Sequence, residues 1–145
     1  MKALFVDTAG WMACADAADP AHARACGARD MALESGQSLV TSDYVVDETL
    51  TLVRMRLGLA AAEDWWAQVQ GSARLSLEWV NPVRADRARH IFFRHRDKTF
   101  SFTDCTSFAI MQELKLKQAL TTDKHFLQVG FETLPGPQPK RMRVK

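Results

Sequence analysis

Two short strand-like runs constrain this chain most, because each gives way to an aspartate. Ala3 to Val6 is followed by Asp7, and Ala119 to Thr121 leads through Thr122 to Asp123. Apolar runs this short read as buried strands, since helices need about ten residues or more. Ser38 to Thr41 is a further strand candidate, Leu75, Leu77 and Trp79 alternate with Ser76 and Glu78, and Phe131 to Leu134 reads as a last strand. Helices are expected over Ala9 to Ala17, from Asp19-Pro20 to near Gly36, and over Asp43 to Leu57 and Ala60 to Gln70. Others should run from Asn81-Pro82 to His95 and from Thr103 to Lys115, with a turn or two between Asp123 and Val129. Strands alternating with helices predict an α/β fold, a parallel sheet covered on both faces. Functional groups in such sheets gather at the carboxyl ends of the strands, where Asp7 and Asp123 stand.

Each acidic candidate has an ordinary alternative role. Asp7 and Asp123 are also good helix caps. Asp104 falls on one helical stripe with Phe108, Met111 and Lys115, so it should point inward at the first turn of its helix. A carboxylate there needs backbone N–H groups, a basic side chain or a cation. Capping would also explain it, with Ser101 or Thr103 as rival caps. Glu48 lies across its helix from the apolar stripe Val46, Leu50, Val53 and Leu57, although Val45 and Leu52 flank it. Periodicity alone does not turn Glu48 inward. Asp43 or Ser42 is the expected cap of that helix.

The chain's 145 residues fit one domain, and 47% hydrophobic with 25% charged residues allows a core without staples. Cys14, Cys26 and Cys105 are odd in number and widely spaced, which suits reduced thiols. His22, His90, His95 and His125 show no metal-ligand spacing. The apolar run at the N-terminus is too short for a signal peptide, and no stretch approaches the ~18 apolar residues of a membrane span. A cytoplasmic protein is expected. A net charge of +2 permits a polyanionic partner without demanding one. Arg84, Arg87, Arg89, Arg94, Arg96 and Lys98 are concentrated in one basic segment opposed by Asp86 and Asp97. It is a candidate phosphate-binding face or a solvated helix surface. Trp65 and Trp66 are adjacent on a helix, so one should fill the core and the other lie partly exposed. Residues 135–145 hold three of the five prolines and the basic run Lys140 to Lys145, and are expected to form a flexible tail after a domain spanning 1–134.

Four segments in register resemble the PIN-domain family, and within it the VapC-type toxins of toxin–antitoxin modules. They are Leu4-Phe5-Val6-Asp7-Thr8-Ala9, Thr41 to Leu50 around Asp47-Glu48-Thr49, Asp97 to Ala109 around Thr103-Asp104-Cys105, and Leu120-Thr121-Thr122-Asp123-Lys124-His125-Phe126 with Val129-Gly130-Phe131. The resemblance implies a three-layer α/β/α fold and an acidic quartet of Asp7, Glu48, Asp104 and Asp123. It implies Mg²⁺ or Mn²⁺ as cofactor and hydrolysis of RNA to 3′-hydroxyl and 5′-phosphate ends. Asp97 stands where many relatives carry an additional acid; it would support the site or pair with nearby arginines. Implied partners are RNA, a cognate antitoxin and a second copy of the chain.

A carboxylate cluster without interleaved arginine, cysteine or histidine is a hard-oxygen site suited to such ions. Without metal the crowded acids are expected to repel and raise their pKa values. The nearest rival is a PIN protein that processes or binds RNA without a toxin role. Receiver domains would need paired acids after the first strand, and dehalogenase-like phosphatases an aspartate where this chain has Ala9. A pure interaction module would leave Asp104 without a reason to stand on an apolar stripe.

Overall fold

The computed structural model describes residues 2–137. In chain order the elements are β1 (Ala3–Val6), α1 (Thr8–Ala15), α2 (His22–Glu34), β2 (Ser38–Ser42), α3 (Asp43–Leu57) and α4 (Leu59–Gly71). There follow β3 (Leu75–Glu78), α5 (Pro82–Arg94), α6 (Phe102–Glu113), β4 (Gln118–Thr121), α7 (His125–Gln128) and β5 (Glu132–Pro135). The five strands form one parallel sheet in the order β3-β2-β1-β4-β5. Phe5 at the centre of β1 pairs with Val40 on one side and Ala119 on the other.

The strand order reverses at β1. The chain moves outward from β1 to β2 and β3, then returns across the sheet to β4 and β5. Right-handed crossovers therefore put the helices of the first half on one face and α5 and α6 on the other. The reversal leaves a crevice between the carboxyl ends of β1 and β4, where open α/β sheets bind their ligands.

Local chemistry explains the element boundaries. Asn81 caps α5, accepting from the Arg84 N–H, and Pro82 occupies a first-turn position where no donor is lost. Ser42 caps α3, while Asp43 accepts instead from the Val80 N–H at 2.8 Å and ties α3 to the chain after β3. Gly58, at a φ of 100°, ends α3 and admits the immediate start of α4. α2 starts later than its Asp19-Pro20 signal suggests, because Asp19 accepts from the Ala21 N–H in a turn that precedes His22. β3 stops at Glu78, and Trp79 lies exposed beyond it.

Leu4, Phe5, Val6, Ala119 and Leu120 are wholly buried in the sheet. On the α6 face, Phe108 packs edge-to-face on Phe126 and Phe100 at 4.9 and 5.1 Å. Trp65 is buried against Trp11 at 5.5 Å and Trp66 is half-buried, the division expected of adjacent helical tryptophans. The three cysteines are free thiols. The expected boundary after residue 134 falls inside β5, whose last residue is Pro135, and the Gly136 N–H also reaches the Thr121 carbonyl at 3.2 Å. The basic run Lys140 to Lys145, expected to be flexible, lies outside the described residues. Among the described residues no helix is long and apolar enough to cross a membrane.

Candidate active site

Asp7 leaves the carboxyl end of β1 and caps α1, its Oδ1 accepting from the Gly10 N–H at 2.8 Å. Its Oδ2 accepts from the Thr121 hydroxyl at 2.9 Å, across the crevice at the end of β4. The capping role and the strand-edge role are therefore one arrangement. Gly10 makes it possible: a Cβ there would stand 2.1 Å from the Leu120 carbonyl oxygen, so only glycine lets α1 approach β4 this closely. Thr41 and Trp11 secure the other side. The Thr41 hydroxyl donates to the Val6 carbonyl at 2.9 Å and accepts from the Trp11 indole N–H at 3.1 Å.

Asp104 also does two things. Ser101 caps α6 by accepting from the Asp104 N–H, while Asp104 Oδ2 accepts from the Ser101 N–H at 3.1 Å, a reciprocal capping box. The same Oδ2 lies 3.0 Å from His125 Nδ1. Asp123 Oδ2 is 3.2 Å from that nitrogen, and Asp123 Oδ1 accepts from the His125 N–H at 2.9 Å. The ring is held from behind by Thr99 Oγ1, 3.2 Å from Nε2, and by the edge-to-face packing of Phe100 at 5.4 Å.

Asp7, Glu48, Asp104 and Asp123 line one cavity of about 260 Å³, together with Asp19 and Arg56. Four distant stretches of chain supply the quartet. Glu48 arrives because α3 is buried over a wider arc than a single stripe. Val45, Thr49 and Val53 are buried, and Val45, Glu48, Leu52 and Arg56 present a second row to the cavity. Leu57, expected on the apolar stripe, is exposed.

Three sequence-based expectations need correction. His125 stands among the acids and Arg56 lines their cavity, so the cluster is not free of histidine and arginine. The Asp123-x-His125 spacing just after a strand was the available signal for the former. Asp97 does not line the cavity; it is 77% exposed and sits 3.4 Å from Lys98 Nζ rather than beside an arginine. Arg84 is not an open phosphate contact. Its side chain is 8% exposed and its guanidinium bonds Glu113, Glu78 at 2.9 Å and the Trp79 carbonyl at 2.9 Å. Arg87, Arg94, Arg96 and Lys98 do lie on the surface.

The electrostatics are dominated by burial. Asp7 is pushed up to about 8, first by desolvation, against the hydrogen bonds from Gly10 and Thr121, with repulsion from Asp104 and Asp123 a smaller contribution. Asp104 is raised too, again first by burial, opposed by the Ser101 N–H and His125. Crowding of like charge, expected as the main cause, is secondary for both.

The donor set fits a hard divalent cation. Donor atoms of Asp104, Asp123 and His125 lie within 4.8 Å of one another, and Asp7 and Glu48 add carboxylates to the same cavity outside that triple. Two further lining residues, Thr8 and Ser107, carry buried hydroxyls without a hydrogen-bond partner among the described residues. Unsatisfied hydroxyls beside carboxylates suit an ion that retains part of its water shell, as Mg²⁺ does.

Comparison with known proteins agrees with this architecture. The chain is 32% identical over 128 residues to the 23S rRNA-specific endonuclease VapC20 of Mycobacterium tuberculosis, covering 88% of this chain and 95% of the relative. It is 28% identical over 124 residues to ribonuclease VapC26 of the same organism, covering 85% and 89% respectively. The crystal structure of M. tuberculosis VapC20, described as a Sarcin-Ricin loop cleaving toxin, superposes with a TM-score of 0.79, covering 89% of this chain and 96% of that one. The PIN domain family matches residues 4–132. With that match and these relatives, the chain belongs to the PIN domain family.

Proposed function

We propose that this protein is a divalent-metal-dependent endoribonuclease and the toxin of a toxin–antitoxin pair, with Asp7, Glu48, Asp104 and Asp123 as its acidic quartet. The observation that carries the reading is the convergence of these four side chains on one cavity at the β1/β4 crevice. A bound Mg²⁺ or Mn²⁺ supplies neutralisation of phosphate charge and a more acidic water. Asp104 and Asp123 would hold the ion with His125 beside them, and Asp7 and Glu48 would complete the negative wall. Gly10 and Thr121 hold Asp7 in one orientation, so its carboxylate needs no rearrangement when RNA arrives. The Thr8 and Ser107 hydroxyls, buried without a hydrogen-bond partner among the described residues, would orient water at the cavity wall. Water adds across a P–O3′ bond, leaving a 5′-phosphate and a 3′-hydroxyl.

The named specificity of the VapC20 relative makes ribosomal RNA the first substrate to try. Arg87, Arg94, Arg96 and Lys98 are surface cations that would hold RNA phosphates without reading sequence. An antitoxin that covers the cavity, a second copy of the chain and a cytoplasmic site of action complete the proposal. The test is cleavage of ribosomal RNA in Mg²⁺ or Mn²⁺, with and without a chelator. Wild type is expected to cut and Asp104→Asn to lose at least about a hundredfold, more than the loss of a residue that only orients a metal ligand. Equal cleavage by both would refute the site.

A further inference from the structure

Arg56 is the one basic residue among those lining the acidic cavity, which it shares with Asp7, Asp19, Glu48, Asp104 and Asp123. No ion pair joins it to any of these five carboxylates among the described residues. That is unusual for a guanidinium in such company, since a planar donor fork readily binds carboxylate in two parallel bonds. Its helix keeps it apart. Glu48, Leu52 and Arg56 are four and eight residues along one face of α3, which spaces Glu48 and Arg56 by about 12 Å along the axis. Arg56 lines the cavity one turn beyond Leu52. Arg56 is exposed and Glu48 half-buried, which orders the row from rim to interior.

We propose that Arg56 is a substrate-binding residue that holds an RNA backbone phosphate flanking the one cleaved. The inference rests on the nuclease reading above and deepens it. A chain of phosphates entering a cavity walled by carboxylates meets repulsion unless a cation receives it at the rim. Arg56 stands at that rim, and its side chain makes no hydrogen bond among the described residues. Two helical turns along α3 from Glu48, it is placed for a neighbouring phosphate of the chain rather than for the one facing the acids. The contact is therefore made equally in the ground state and the transition state, and it affects binding rather than chemistry.

The test compares wild type with Arg56→Ala, Arg56→Lys and Arg54→Ala, the last altering an exposed arginine that does not line the cavity. Steady-state cleavage is expected to show KM raised about tenfold in Arg56→Ala with kcat nearly unchanged. Binding is read separately by anisotropy of a fluorescein-labelled single-stranded oligoribonucleotide, with each variant placed in the Asp104→Asn background. There Arg56→Ala should weaken binding and make the plot of log K against log salt shallower by about 0.7. Arg56→Lys should restore the slope but only part of the affinity. Arg54→Ala should do neither. If Arg56→Ala behaves like Arg54→Ala, or alters Mn²⁺ affinity while leaving RNA affinity and salt slope intact, Arg56 only balances the acids and the proposal is overturned. A fall in kcat matching the fall in kcat/KM would overturn it as well. Should wild type cut no RNA, the nuclease reading fails, while the binding arm still decides whether Arg56 holds phosphate.

Discussion

Arg84 and Asp7 are both buried ionisable groups, and the fold treats them in opposite ways. Arg84 joins β3, α5 and α6 through Glu78 and Glu113, and its proton is held more tightly than usual, first by the hydrogen bonds to Glu113. Glu113 is correspondingly held below its ordinary value by Arg84. Asp7 has neutral hydrogen-bond partners, an amide and a hydroxyl, with acids nearby. A buried charge with matched counter-ions is a structural tie. A buried acid facing other acids costs stability, and such a cost is kept where a cation is meant to offset it.

The two sites should respond to neutralisation with opposite sign. Arg84→Met leaves two carboxylates without their partner. Glu78 and Glu113 are 26% and 34% exposed, so solvent screens part of the loss. We expect about 2–3 kcal/mol of destabilisation and a melting temperature roughly 10 °C lower by thermal denaturation. A stability within experimental error of wild type would erase the contrast.

Gly10→Ala tests the mounting of Asp7 rather than its charge. The added methyl meets the Leu120 carbonyl, so overpacking should cost about 1–3 kcal/mol and displace α1. RNA cleavage should fall with stability even after the protein is assayed well below its melting temperature. Full cleavage by this variant would show that Asp7 needs no close α1–β4 contact.

Asp7→Asn should stabilise the metal-free protein. Asparagine caps a helix as well as aspartate does and keeps both hydrogen-bond partners in reach. The folded protein holds the Asp7 proton up to about pH 8, whereas the unfolded chain releases it near the ordinary aspartate value of 3.8. Wild-type stability from this group is thus greatest below pH 4 and declines as pH rises to about 8. The variant should melt about 5 °C above wild type at pH 8 and level with it near pH 4. A gap that does not grow with pH would contradict the buried, raised carboxyl.

The smallest effect is from the metal. Mn²⁺ at ten times its Kd should stabilise wild type by about 1.4 kcal/mol and leave Asp104→Asn nearly unmoved. Equal shifts in the two proteins would place the ion elsewhere.

Much of the architecture was legible in the residue pattern because strand and helix periods are local properties. β1 and α3 have their expected limits, and the other elements shift by one to three residues at one or both ends. Asp7 and Asp123 could be placed at one sheet edge by the parallel-sheet rule alone. Glu48 could not. Its orientation depends on which neighbours surround α3, and a single-stripe reading assumes one buried face where the fold uses two. Arg84 departs from its expected surface place for a similar reason: a helix rich in basic residues loses one arginine to partners from β3 and α6.

The alternation of strands and helices and the strand-end position of two aspartates follow from spacing along the chain. Which charges meet depends on how the elements pack. Glu48, Asp104 and His125 reach the same crevice, and Arg84 is withdrawn from the surface, through contacts between residues far apart in sequence, which no local period encodes.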